Sequence, residues 1–156
     1  MSEAGQLVMF LLDDCRYAVR LAAVRRIVPL VDITRLPQAP DIVRGVINVE
    51  GRVIPVIDIR RRFRLPERES SLNDQIILAQ AGRHAVALIV DAALGVIDAP
   101  ATMIAQIDEI LPGLEHVAGL VKRADGLILI HDLDTFLSLE EAEKLEGALA
   151  QTTGTS

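Results

Sequence analysis

The residue pattern predicts an all-β fold of two five-strand units, each rolled into a small barrel, with one helix at the C-terminus. Three observations carry this reading. Short runs rich in Val, Ile and Leu recur along the chain, each bounded by Gly, Pro, Asp or Asn. Several residue blocks recur in the same order in the two halves. The last segment changes from strand patterning to helical spacing.

In chain order, strands are expected at Leu7–Leu12, Arg16–Arg20 and Arg26–Leu30, with Asp13-Asp14 as short polar turn residues. Pro37 and Pro40 then punctuate a loop. Gly45–Val49 and Val53–Ile59 follow; Pro55 lacks a ladder donor, which puts its strand at an edge or at a bulge. Past Pro66 come Gln75–Gln80, Ala85–Val90 and Gly95–Ile97. Pro100 and Pro112 mark loops before Val117–Lys122 and Leu127–His131. Alternation is blurred in Val53–Ile59 and Ala85–Val90, as expected of strands covered on both faces. Ser138 and Glu141 have capping-box spacing, and Leu139, Ala142, Leu145 and Leu149 repeat at helical intervals, so a helix is expected over Leu139–Ala150. Residues 151–156 read as a polar, frayed tail.

The repeat pairs Tyr17–Leu21 with His84–Leu88 at an offset of 67 (17 to 84). It pairs Val43–Ile47 with Val117–Val121 at 74 (45 to 119). Second glycines follow (Gly51, Gly126), and then Ile54-x-Val56-x-Asp58-Ile59 matches Ile128-x-Ile130-x-Asp132-Leu133. Each unit alone is too small to bury its apolar faces, so the two are expected to pack through an aliphatic layer. Residues 1–137 thus form one domain, with a first barrel over about 15–80 and a second over about 81–137 that takes in the N-terminal strand; 138–150 is the helix.

Composition narrows the function. Of 156 residues, 51% belong to the set AVILMFWYC, enough apolar surface to exclude disorder. No apolar run approaches the roughly 18–20 residues of a membrane span. Leu7–Leu12 lacks the basic flank of a signal peptide and runs into Asp13. One cysteine, Cys15, rules out an intrachain disulfide and a multi-Cys zinc site, so a cytoplasmic setting is expected. A net charge of −6 and 3% aromatics argue against a nucleic-acid binder.

The search for chemistry returns little. There is no nucleophile elbow, phosphate loop, dinucleotide fingerprint or H-E-x-x-H. His84, His116 and His131 share no ligand spacing, and His131 and Asp132, as strand neighbours, point to opposite faces. Cys15 reads as a small apolar residue at a strand start. No catalytic residue, metal or cofactor is expected. Arg60, Arg61, Arg62, Arg64 and Arg68 form a basic stretch that reads either as a solvated strand end or as a docking patch for an acidic protein.

Residues Gly45 to Arg60 (GVINVEGRVIPVIDIR) resemble the signature of the CheW family of chemotaxis coupling proteins, roughly G-V-[IT]-N-[LV]-R-G-x-[IV]-[IV]-P-[IV]-[IV]-[DN]-L. The resemblance extends through Tyr17-x-Val19, Leu36-Pro37-x-x-Pro40, Leu88–Asp91, Gly95-Val96, Gly119-Leu120 and Gly126–Leu133. It implies two SH3-like five-stranded barrels about a pseudo-twofold axis and no catalytic activity. It also implies a bridging role between the cytoplasmic tips of chemoreceptors and the regulatory domain of the histidine kinase CheA. A receptor helical hairpin would lie in a groove involving Val24, Arg26, Ile27, Gly45, Val46, Asn48 and Glu50. The kinase would dock near Ile33, Thr34, Arg35 and Leu36. The chain would be cytoplasmic and recruited to membrane-associated receptor arrays, with no nucleic acid and no membrane insertion.

One departure stands out. The family usually carries Arg in N-x-R-G and an acidic residue in V-x-E-I, where this chain has Glu50 and Arg26. The inversion is expected to keep an ion pair of reversed polarity, with consequences for partner choice rather than stability. It also leaves open a standalone regulator of a non-motility or two-component pathway that does not touch receptors.

Overall fold

The computed structural model describes residues 5–69, 71–99, 104–105, 117–123 and 126–153; His116, Pro100 and Pro112 lie outside these. Eleven strands are described: β1 (Gln6–Leu12), β2 (Cys15–Arg20), β3 (Val24–Pro29), β4 (Val43–Val49), β5 (Arg52–Ile57), β6 (Gln75–Ala81), β7 (His84–Val90), β8 (Ala92–Asp98), β9 (Ile104–Ala105), β10 (Val117–Arg123) and β11 (Gly126–His131). A four-residue helix α1 (Ile59–Arg62) follows β5, and α2 (Leu139–Thr153) closes the described chain.

The strands form two mixed sheets, one of six strands in the order β8-β1-β2-β11-β10-β9 and one of five in the order β3-β6-β7-β5-β4. Among the described residues neither is closed, which corrects the expectation of two barrels. In the five-stranded sheet the edges β3 and β4 share no ladder. The chain after β3 meets β4 in one isolated bridge, Thr34 with Val46, where each N–H donates to the other's carbonyl at 2.8 and 2.7 Å. The physical reason lies in the connection: residues 30–42 leave β3 as irregular chain, so only one residue pair reaches ladder geometry.

Each sheet is assembled from both halves. The β6–β7 hairpin sits among β3, β4 and β5, and the β1–β2 hairpin among β8, β10 and β11. The parallel contacts β5–β7 and β11–β2 stitch these exchanges. The repeat is close enough to carry irregularities with it. A register shift falls between Val43 and Gly45 against β5, and again between Val117 and Gly119 against β11. Another falls between Val24 and Arg26 on β3, and its counterpart between Ala93 and Gly95 on β8.

The hairpins also correct the first offset. Leu12 pairs with Cys15 and Ala81 with His84, so the halves superpose there at 69 (12 to 81) rather than 67. A two-residue slip keeps every side chain on its face, so apolar pattern alone cannot detect it. The turns differ in type: Asp13 and Asp14 both have positive φ, whereas the second turn uses Gly82 at its first central position.

Three apolar clusters result. Leu7, Ala18, Val121, Ile128 and Ile130 fill the inner face of the six-stranded sheet. Ile76, Ala87, Ile47, Ile54 and Val56 fill the five-stranded one at equivalent positions. Between the sheets lies a shared layer built from Val8, Phe10 and Val19 on one side and Ile77, Val86 and Leu88 on the other, sealed by Phe136, Leu145 and Ala148. At its edge His131 stacks on Phe63 with ring centroids 3.8 Å apart, next to Tyr17. Burial, with a smaller effect of Cys15, pushes the Tyr17 phenol up to about 12.

Two local expectations are also corrected. Strand Val53–Ile59 ends at Ile57, because Asp58 accepts the Arg61 N–H (3.1 Å) and caps α1. Its strand is interior, between β4 and β7, not at an edge. Pro55 is tolerated there because the ladder to β7 begins only at Val56.

Candidate functional site

The predicted groove residues sit on the two open edges of the five-stranded sheet. Val24, Arg26 and Ile27 lie on β3; Gly45, Val46 and Asn48 lie on β4; Glu50 occupies the β4–β5 turn. The turn is a two-residue loop, Glu50-Gly51, with positive φ at both positions, braced by Asn48 Oδ1 accepting the Gly51 N–H at 2.9 Å. That conformation lifts Glu50 towards β3, and Arg26 Nη1 reaches its Oε1 at 2.8 Å. The Arg26 hydrogen bond and charge hold the Glu50 carboxyl below its ordinary value. Both side chains are largely exposed, 51% and 75%, so the pair orients the turn more than it stabilises the fold.

The set divides by burial. Arg26, Ile27, Asn48 and Glu50 are exposed, Val24 is half-buried, and Gly45 and Val46 are buried. Gly45 has a packing reason: a Cβ there would overlap the Thr34 carbonyl oxygen and stand 2.8 Å from Ile33 Cγ2. In the second set, Thr34 and Arg35 are exposed, Ile33 is half-buried, and Leu36 is 5% exposed within the shared layer. Thr34 joins the two sets, since its bridge partner is Val46.

Beside the Arg26–Glu50 pair opens a cleft of about 230 Å³. Arg25, Arg52 and the β6–β7 hairpin help to line it. Sequence reading missed the hairpin because it belongs to the other half of the chain, and passed over Arg25 and Arg52, which flank the predicted Arg26 and Glu50. The 69-residue correspondence would have placed the hairpin there.

Three arginines of the stretch, Arg60, Arg62 and Arg68, are engaged in ion pairs. Arg60 bonds Asp13 (2.8 Å) and Asp91 (2.9 Å), and Arg62 bonds Glu141 of α2 (2.8 Å). Arg68 bonds buried Asp74 (2.7 Å) and also Asp91. Burial opposes the charge on Asp91, but Arg68, the Asp13 N–H and Arg60 outweigh it and hold the carboxyl below its ordinary value. These groups tie α1 and Arg68 to the rest of the molecule.

The other polar candidates lie apart from these edges. His131 is buried among aromatic rings, while Asp132, just past the end of β11, caps the turn at Leu133–Thr135 by accepting the Asp134 N–H. Cys15 is exposed at the start of β2. His84 Nε2 lies 3.1 Å from Glu146 of α2. No cluster of potential metal ligands occurs among the described residues. Among them, too, no helix is long and apolar enough to cross a membrane.

Comparison with known proteins gives a consistent result. Residues 6–141 match the sequence profile of the CheW-like domain. The chain is 29% identical over 153 residues to the chemotaxis protein CheW of Treponema pallidum, covering 92% of this chain and 88% of that one. It is 31% identical over 143 residues to the Bacillus subtilis chemotaxis protein CheW, covering 88% and 90%. Its fold is similar to the crystal structure of the scaffolding protein TtCheW from Thermoanaerobacter tengcongensis, with a TM-score of 0.80 and 29% identity over 88% of this chain and 95% of that one.

Proposed function

This chain belongs to the CheW family, and on that footing we propose that it couples particular chemoreceptors to a CheA kinase through the two edges of its five-stranded sheet. Proteins of this family are non-enzymatic adaptors that link chemoreceptors to CheA. The family match over residues 6–141 carries the reading. The twin-sheet fold supports it, because its shared core leaves strand edges preformed rather than assembled on binding.

In this reading a helical receptor tip lies along Val24, Arg26, Ile27, Asn48 and Glu50, while Gly45 and Val46 shape the backbone beneath it. The kinase regulatory domain docks on Ile33, Thr34, Arg35 and Leu36, where Thr34 and Arg35 offer the accessible groups. The chain works in the cytoplasm, held at the membrane only through receptor arrays.

Co-sedimentation with receptor-bearing membranes and the kinase regulatory domain tests this. The wild-type chain is expected to pellet with both, Ile27→Glu to lose the receptor, and Arg35→Glu to lose the kinase. Absence of the wild-type chain from receptor pellets overturns the coupling role. Unchanged pelleting of both variants overturns the residue assignment.

A further inference from the structure

The cleft beside the Arg26–Glu50 pair combines an apolar floor with an excess of positive charge. Ile54, Leu78 and Val86 belong to the buried clusters below it. Arg25, Arg26 and Arg52 line it against one carboxylate, Glu50, in a chain whose net charge is −6. The fold does not require these cations. At the equivalent places of the other sheet stand Leu94 (25 to 94), Gly95 (26 to 95) and Gly126 (52 to 126). Arg25 is the extra residue of the bulge on β3, at the same position as Leu94 in the bulge on β8. The three guanidiniums are therefore not demanded by the repeat, which sets a single cation, Arg123 (49 to 123), at the equivalent rim of the other sheet.

We propose that this cleft seats an aliphatic side chain of a partner helix whose neighbouring residues are acidic. Its volume of about 230 Å³ falls below the roughly 300–1,000 Å³ of small-molecule pockets, so it suits an anchor side chain. Aliphatic burial on Ile54 and Leu78 supplies affinity. Arg25 and Arg52 supply preference, because among the described residues neither has a carboxylate as close as Glu50 is to Arg26. Glu50 opposes the occupant: it repels an incoming carboxylate and engages Arg26. That the occupant is a helix rests on the coupling role above; the preference for acidic flanks rests on the cleft alone.

The test is a binding titration with two labelled helical peptides of equal length and identical leucines, one flanked by Glu and the other by Lys. At low salt the Glu-flanked peptide is expected to bind about tenfold tighter, with the gap narrowing as salt rises. Arg25→Glu and Arg52→Glu are each expected to erase most of that preference, and Glu50→Gln to tighten the Glu-flanked peptide by about two- to fivefold. The thermal midpoint of each variant shows that it remains folded. Equal binding of both peptides, binding of neither, or a preference untouched by Arg52→Glu overturns the proposal. Co-sedimentation separates the two claims. Wild-type chain that pellets with receptors yet shows no peptide preference leaves the coupling role standing and removes the cleft. Peptide preference without pelleting does the reverse.

Discussion

Gly45 shows how one residue can carry both family resemblance and local physics. The resemblance places it in a binding groove, whereas its surroundings give it a packing role, since its missing side chain lets the Thr34 backbone come close enough to pair with Val46. Gly45→Ala is therefore expected to cost about 1–3 kcal/mol, the usual range for forcing atoms into a filled space. A urea midpoint shows it as a lower value with unchanged slope. A variant as stable as the wild type would mean that the bridge contributes nothing. The arginines show the converse. Composition made Arg60, Arg62 and Arg68 look like surface charge, yet apart from Asp74, six residues from Arg68, their carboxylate partners lie 23 to 79 residues away.

Among the elements, α2 is the part most legible in the sequence. Its capping box forms as the Ser138/Glu141 spacing predicts: the Ser138 N–H donates to Glu141 Oε1 at 2.9 Å and the Glu141 N–H to Ser138 Oγ at 3.1 Å. Leu145 and Ala148 enter the shared layer, and Arg62 reaches Glu141 from α1. Burial raises the Glu141 carboxyl, but the Ser138 N–H and Arg62 overcome it, and the net value lies below the ordinary 4.5. A depressed carboxyl contributes stability that is complete above its unfolded value and is lost as pH falls through the lower folded one. Thermal midpoints of the wild type and Glu141→Gln are thus expected to differ near pH 7 and to converge as pH falls below 4.5. A gap that stays constant into acid would assign the effect to packing instead. The strands were less legible. Sequence patterning runs a strand through Asp58 to Ile59, and only the Arg61 N–H donated to Asp58 shows that this residue caps α1 instead.

For the molecule as a unit, the exchanged hairpins have a thermodynamic consequence. Each sheet borrows two strands from the opposite half, so neither half retains a complete sheet or its inner apolar cluster. A fragment of residues 1–73 is expected to lack dispersed amide signals and a cooperative transition, and mixing it with 74–156 to restore both. A fragment that folds alone would contradict the shared core. Strand content, the repeat, the C-terminal helix, the lack of a recognisable catalytic motif and the family could all be read from the residues alone. Each of these is written in local pattern or in residues close together along the chain. Long-range contacts settled that the sheets stay open, that the hairpins are traded at an offset of 69, and that Arg25 and Arg52 meet over one cleft. The reason is periodicity: a two-residue slip leaves every strand's faces unchanged, so only hydrogen bonding between distant segments sets the register and what the register brings together.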